Sequence, residues 1–144
     1  MRTGTKLIAT AAVALACATV TTTAASAASG SASGSTTTPK MVKSVDYGTM
    51  CHGELWAEYQ SGTPYTQARV FAANGITCKG WLERERTGQY GWTKVSDYMF
   101  AVGGSPKYSG WHWDGSSSTD NTVQSRVCIQ EVETSAPVVC SGGW

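Results

Sequence analysis

The chain has 144 residues, a formal charge of +1, 15% charged residues and 41% hydrophobic ones. This balance, without any run of like charges, excludes binding to nucleic acid or to an anionic membrane through a basic patch. The length suits one small domain, whose core calls for covalent help.

Residues 1–27 read as a signal peptide. Arg2 and Lys6 make a positive start, residues 7–20 are apolar, and Ala25, Ser26 and Ala27 form a small-residue cleavage site. The apolar run is too short to span a bilayer. A competing reading is a lipoprotein acylated on Cys17, but the bulky residue wanted three positions earlier is missing. Cleavage after Ala27 would remove Arg2 and Lys6 and take the charge from +1 to about −1. The mature protein is therefore expected to be secreted and extracellular.

Residues 28–44 are mostly Ala, Ser, Gly and Thr, with almost nothing to bury. Such a segment cannot offset its ordering entropy, so it predicts a disordered N-terminal tail. Its end differs: Thr38, Pro39, Lys40, Met41 and Val42 follow one another. Proline fixes its own φ and biases the preceding residue to an extended form. A stiff, extended segment with one long cationic side chain has the form a trypsin-like cleft reads. The plain alternative is a spacer.

Residues 45–144 predict an all-β domain, a small disulfide-stabilised β-sandwich or barrel. "CHGELWAEYQSG" fits a strand or a short helix. "ARVFAANGITCKGW" predicts a hairpin turning at Asn74-Gly75, with Phe71 opposite Cys78 and Ala73 opposite Ile76. "GWLERERTGQYGWTKV" predicts a second hairpin, turning near Thr87-Gly88. Its mixed charge suits an exposed ribbon more than a central strand. "TVQSRVCIQEVETSAPVVC" predicts a third, centred on Thr134, which sets Cys128 opposite Cys140.

Without Cys17, four cysteines remain: Cys51, Cys78, Cys128 and Cys140. An even number in an exported protein reads as disulfides. Cys51–Cys78 and Cys128–Cys140 are the expected pairs, because each closes a local loop. No two cysteines show a C-x-x-C spacing, so no metal site is expected.

Catalytic signals are thin, and no enzyme and no cofactor is expected. His112 and Asp114 flank Trp113 and would share one strand face, but no nucleophile motif accompanies them. Glu54 and Glu58 could share a helix face, where a solvated surface explains them better than chemistry does. The six tryptophans carry more information. Trp111 and Trp113 alternate about His112, so in a strand they would point one way. They could form an aromatic binding face for a sugar or a partner, or simply pack in the core. Trp144, after Ser-Gly-Gly, either tucks back or is displayed.

The layout of export signal, two-disulfide β-domain and Thr-Pro-Lys-Met-Val tail resembles the small secreted actinobacterial adaptors of umbrella toxin particles. Such an adaptor joins a trypsin-like or lectin-bearing subunit to a large toxin. Its N-terminal extension enters the cleft of a trypsin-like domain that does not cut it. The resemblance implies that residues 38–42 are the inserted segment, with Lys40 in the pocket. The folded domain, monomeric when alone, would hold the toxin and serve in interbacterial competition. The alternatives are a serine protease inhibitor, which would ordinarily pin such a loop at both ends, and a glycan-binding module using Trp111 and Trp113.

Overall fold

The computed structural model describes residues 35–116 and 122–144. The predicted signal peptide, Cys17 and the predicted tail before Ser35 lie outside the described residues. The chain forms β1 (Lys40–Tyr47), β2 (Cys51–Gln60), β3 (Thr63–Ala72), β4 (Thr77–Arg86) and β5 (Thr93–Lys94). β6 (Met99–Val102), β7 (Lys107–Tyr108), β8 (His112–Trp113), β9 (Val123–Glu131) and β10 (Val139–Cys140) follow. All pairings are antiparallel, in two five-stranded sheets. The first runs β1-β2-β3, with β7 and β8 sharing the far edge of β3. The second runs β10-β9-β4, with β5 and β6 sharing the far edge of β4.

Alternation along the inner strands builds the core between the sheets. Leu55 on β2, Ala68 and Val70 on β3, Leu82 on β4, and Val127 and Ile129 on β9 are all fully buried. Each such aliphatic side chain larger than alanine contributes about 1.5–3 kcal/mol through burial. Two glycines let the sheets approach closely. A Cβ on Gly80 would collide with Val70 Cγ2, and one on Gly53 would lie 2.8 Å from Ile129 Cγ2. Cys51–Cys78 ties β2 to β4 across the core, whereas Cys128–Cys140 ties β9 to β10 within one sheet. Both expected disulfides are present, and the fold is the expected all-β sandwich.

One open alternative is settled and three expectations change. The segment from Cys51 to Gln60 is a strand, with no helical turn. The Asn74-Gly75 turn forms, with Ile76 N–H donating to Ala73 O at 3.1 Å and Gly75 at φ 78°. Its flanking strands nevertheless go to different sheets. Phe71 sits opposite His52, and Cys78 opposite Ala101 and Glu131. The covalent bond to Cys51 and burial of Cys78 between the sheets outweigh the local hairpin. β4 is a central strand, not an exposed ribbon. Its charges are absorbed on both faces: Glu83 takes Arg126 at 2.7 Å, and Arg84 lies 3.7 Å from buried Asp114. Finally, the ordered chain begins before Val45, because β1 starts at Lys40 and pairs with β2 on both sides of a bulge at Val42.

The third hairpin has the expected register, Cys128 opposite Cys140. Its turn is held by Glu131, a buried carboxylate that accepts the N–H groups of Glu133 (2.6 Å) and Thr134 (2.9 Å). A shorter two-residue turn joins β2 to β3. Ser61 and Gly62 both have positive φ there, as a twisted hairpin requires.

One device recurs at all four sheet edges. An edge residue's N–H donates to an inner strand's carbonyl, and a hydroxyl accepts the inner residue's N–H. Ser109 clasps Ala68 on β3 in this way, Ser141 clasps Val127 on β9, and Thr37 clasps Tyr59 on β2. At Leu82 on β4 the carbonyl takes Val95 N–H and the N–H goes to Ser96 Oγ. The three serines are buried and each also donates to the next carbonyl: Asp97, Gly110 and Gly142. Each clasp satisfies an inner-strand N–H that would otherwise lack a ladder partner. Each also interrupts the edge strand, which explains why β5 and β6, like β7 and β8, share one neighbour.

Candidate functional site

The segment singled out in the sequence lies at the break in the first edge. Thr37 N–H donates to Tyr59 O at 2.9 Å, and Tyr59 N–H donates to Thr37 Oγ1 at 2.8 Å. Ser61 N–H reaches Ser35 O at 3.1 Å, and Thr36 forms a bridge with Gln60. Thr38 and Pro39 then run without ladder assignment before β1 begins. The two are exposed, as is Lys40. Lys40 sits opposite Ala57, and Met41, 48% exposed, sits opposite Trp56. A bulge between Met41 and Lys43 releases Val42 from the register, and Val42 packs against the core.

Among the described residues, β1 pairs only with β2, so its outer edge carries no partner strand. A groove of about 540 Å³ lies on one side of the sandwich, and one of about 530 Å³ beside this segment. The second groove is lined by Lys40, Met41, Val42, Ala57, Tyr59 and Trp144, with Thr37 and Thr38 at its rim. Trp144 tucks back: its backbone N–H and C=O both pair with Ser125 at 3.0 Å, and its side chain packs on the core. The N-terminal segment and the C-terminal tryptophan, distant in sequence, thus share one groove.

The other tryptophans have separate settings. Trp113 lies opposite Tyr65, with Arg84 and Arg86 over its ring at 5.5 and 5.1 Å. Trp111 is half-buried ahead of β8 and lines the 540 Å³ groove on the other side. Trp81 is buried, edge-on to Tyr98. Trp56 lies beneath Arg69 at 3.7 Å, and Trp92 beneath Arg126 at 4.3 Å.

Three residues weighed for catalysis, Asp114, Glu54 and Glu58, have structural partners. Asp114 is buried, accepts a 2.5 Å hydrogen bond from Ser125 and faces Arg84. Burial pushes Arg84 below its ordinary pKa, against the pull of Asp114. Glu54 and Glu58 lie on a strand: Glu54 accepts from Trp56 Nε1 at 2.6 Å, and Glu58 from Gln60 Nε2 at 2.6 Å. Among the described residues one trio has metal-ligand spacing, Glu83, Cys128 and Cys140. Its two sulfurs are joined in a disulfide, so neither is a thiolate ligand.

A chain of side chains missed by sequence reasoning crosses β1 and β2. His52 Nδ1 meets Asp46 Oδ1 at 2.7 Å, and Nε2 meets Glu54 Oε1 at 3.3 Å. Desolvation draws the His52 pKa down, but hydrogen bonds and charge from Asp46 and Glu54 outweigh it and leave it raised. The two-residue spacing of His52 and Glu54 was the available signal; Asp46 needed the β1–β2 register. Comparison with known proteins gives no match to a family model, a curated protein or a solved structure.

Proposed function

We propose that this is a secreted, non-enzymatic adaptor whose N-terminal segment docks in the cleft of a trypsin-like partner and links it to a large toxin. The observation that carries this reading is the display of Thr38, Pro39 and Lys40 on an edge segment held from one side only. A protease-type cleft takes an extended peptide by strand pairing along one edge. The Thr37 clasp and β2 pre-order that segment, which lowers the entropy lost on binding. The two disulfides suit an oxidising compartment. The remaining surface of the sandwich would hold the toxin.

The test is purification of the tagged, exported protein from its producer's medium, with Lys40→Ala in parallel. A catalytically inactive trypsin-like subunit lost by at least tenfold in the variant, with a large toxin retained, is the expected result. Equal recovery of the trypsin-like subunit by both forms would sink the docking lysine. One observation favours a second reading as an inhibitor: the backbone on the N-terminal side of Pro39 is pinned to β2. Stoichiometric inhibition of an active protease, with the segment left intact, would select it.

A further inference from the structure

On the side of the sandwich away from β1, the two stacked edges both break at a buried serine. β5 and β6 pair with β4 on either side of the Ser96 clasp, and β7 and β8 pair with β3 on either side of the Ser109 clasp. The breaks face one another and open the 540 Å³ groove between the sheet edges. Its walls carry Trp111, Tyr108, His112, Asp97 and Lys94. We propose that this groove is a glycan-binding site that stacks a neutral sugar on Trp111 and holds its hydroxyl groups with Asp97 and His112.

The chemistry of the walls selects this ligand class. Trp111 is half-buried and lines the groove, and Tyr108, also lining it, is 53% exposed. Aromatic rings with a polar rim suit a ligand that is apolar on its faces and polar at its edges. Asp97 only accepts hydrogen bonds, Lys94 only donates, and a neutral imidazole does one of each. Burial, reinforced by the positive charge of Arg84, pushes the His112 pKa down against the pull of Asp97, which favours that neutral ring. Lys94 and Asp97 cancel in charge, and the Lys94 ammonium already sits 3.9 Å over Tyr98. A phosphate or other anion would therefore meet little net attraction. A wholly apolar ligand would strip water from Asp97 and His112 without replacing their hydrogen bonds. The volume falls within the range of about 300–1,000 Å³ for small-ligand sites. The serine clasps fix both walls through the backbone, so the groove exists before any ligand arrives.

This inference does not depend on the docking proposal, since the groove lies on the opposite edge. The test is a glycan array on the mature protein, followed by titration with chitotetraose, cellotetraose and maltotetraose, read by tryptophan fluorescence. Saturable binding of at least one neutral glycan is expected, weakened at least tenfold by Trp111→Ala. Asp97→Asn, at an exposed position, keeps the test valid if Trp111→Ala unfolds, and should also weaken binding severalfold. Lys40→Ala should leave it unchanged. No saturable glycan, binding unaltered in Asp97→Asn, or capture of a peptide in place of sugars would overturn the assignment.

Discussion

The two lateral grooves are alike in size and each carries a tryptophan and a tyrosine, but they differ in charge. The far groove opens where two stacked edges break at the Ser96 and Ser109 clasps, whereas the β1-side groove is lined by the Thr37 clasp and the C-terminal Trp144. The β1 side is walled by Met41, Val42, Ala57, Tyr59 and Trp144 with Lys40 as its one charge. The far side is walled by charges of both signs and a histidine. The chain's two histidines follow the same division. His52, near β1, is flanked by two carboxylates and raised; His112, at the far groove, is desolvated beside Arg84 and lowered. The two sides of one sandwich thus offer grooves of similar volume with different charged groups around them.

The largest expected effects fall on the buried clasps. Ser109→Ala or Ser96→Ala leaves the Ala68 or Leu82 N–H without its acceptor, and should cost about 1–3 kcal/mol in denaturant unfolding. Thr37→Ala, at an exposed clasp open to water, should cost less, about 0.5 kcal/mol or below. Equal losses at Thr37 and Ser109 would mean that burial does not separate the two sides.

Next in size is a pH effect of opposite sign at the two histidines. His52 has a raised folded pKa, so its contribution is full below about pH 6.5 and is lost as pH rises through the folded value. His112 has a lowered folded pKa, so its contribution is full above about pH 6.5 and is lost as pH falls. Unfolding measured from about pH 5.5 to 8 isolates histidine titration. His52→Gln should make the acid side relatively less stable than in the parent, and His112→Gln relatively more stable. Parallel profiles for the two variants would break the distinction. The smallest effect belongs to Lys40→Ala, whose exposed side chain should leave stability within about 0.5 kcal/mol. A larger loss would show that Lys40 supports the fold and is not held in reserve for a partner.

The fold class and both disulfides were legible in the sequence because each rests on a strong local signal. Alternating strands with frequent turn residues mark the β-fold, and centring one hairpin on Thr134 aligns Cys128 with Cys140. The Asn74-Gly75 turn was legible too, but a turn does not say whether its strands stay in one sheet. β1 escaped notice because its burial is confined to Val42, Val45 and Tyr47, with Lys and Ser between them. β4 looked exposed because Arg126 and Asp114, which absorb its charges, are remote in sequence. Segment 38–42 stood out by its composition; its shared groove with Trp144 did not, because two distant stretches of chain meet only through the sheets. The clasps were invisible, since a serine in a loop reads as a turn and its acceptor role appears only with the partner strand.

The placement of the disulfides gives the molecule a mechanical asymmetry. β1 precedes Cys51, the first bridged cysteine, and so lies outside both covalent loops. A pull on the N-terminal segment meets the hydrogen-bonded ladder to β2 and the packing of Val42, Val45, Tyr47 and Met50 on the core, but no covalent stop until Cys51 is reached. Sixteen residues from Ser35 to Met50 can then pay out, on the order of 50 Å of extended chain. Beyond that point the load passes through Cys51–Cys78 directly into the second sheet. A body joined to this segment would hang on an extensible leash with a covalent stop.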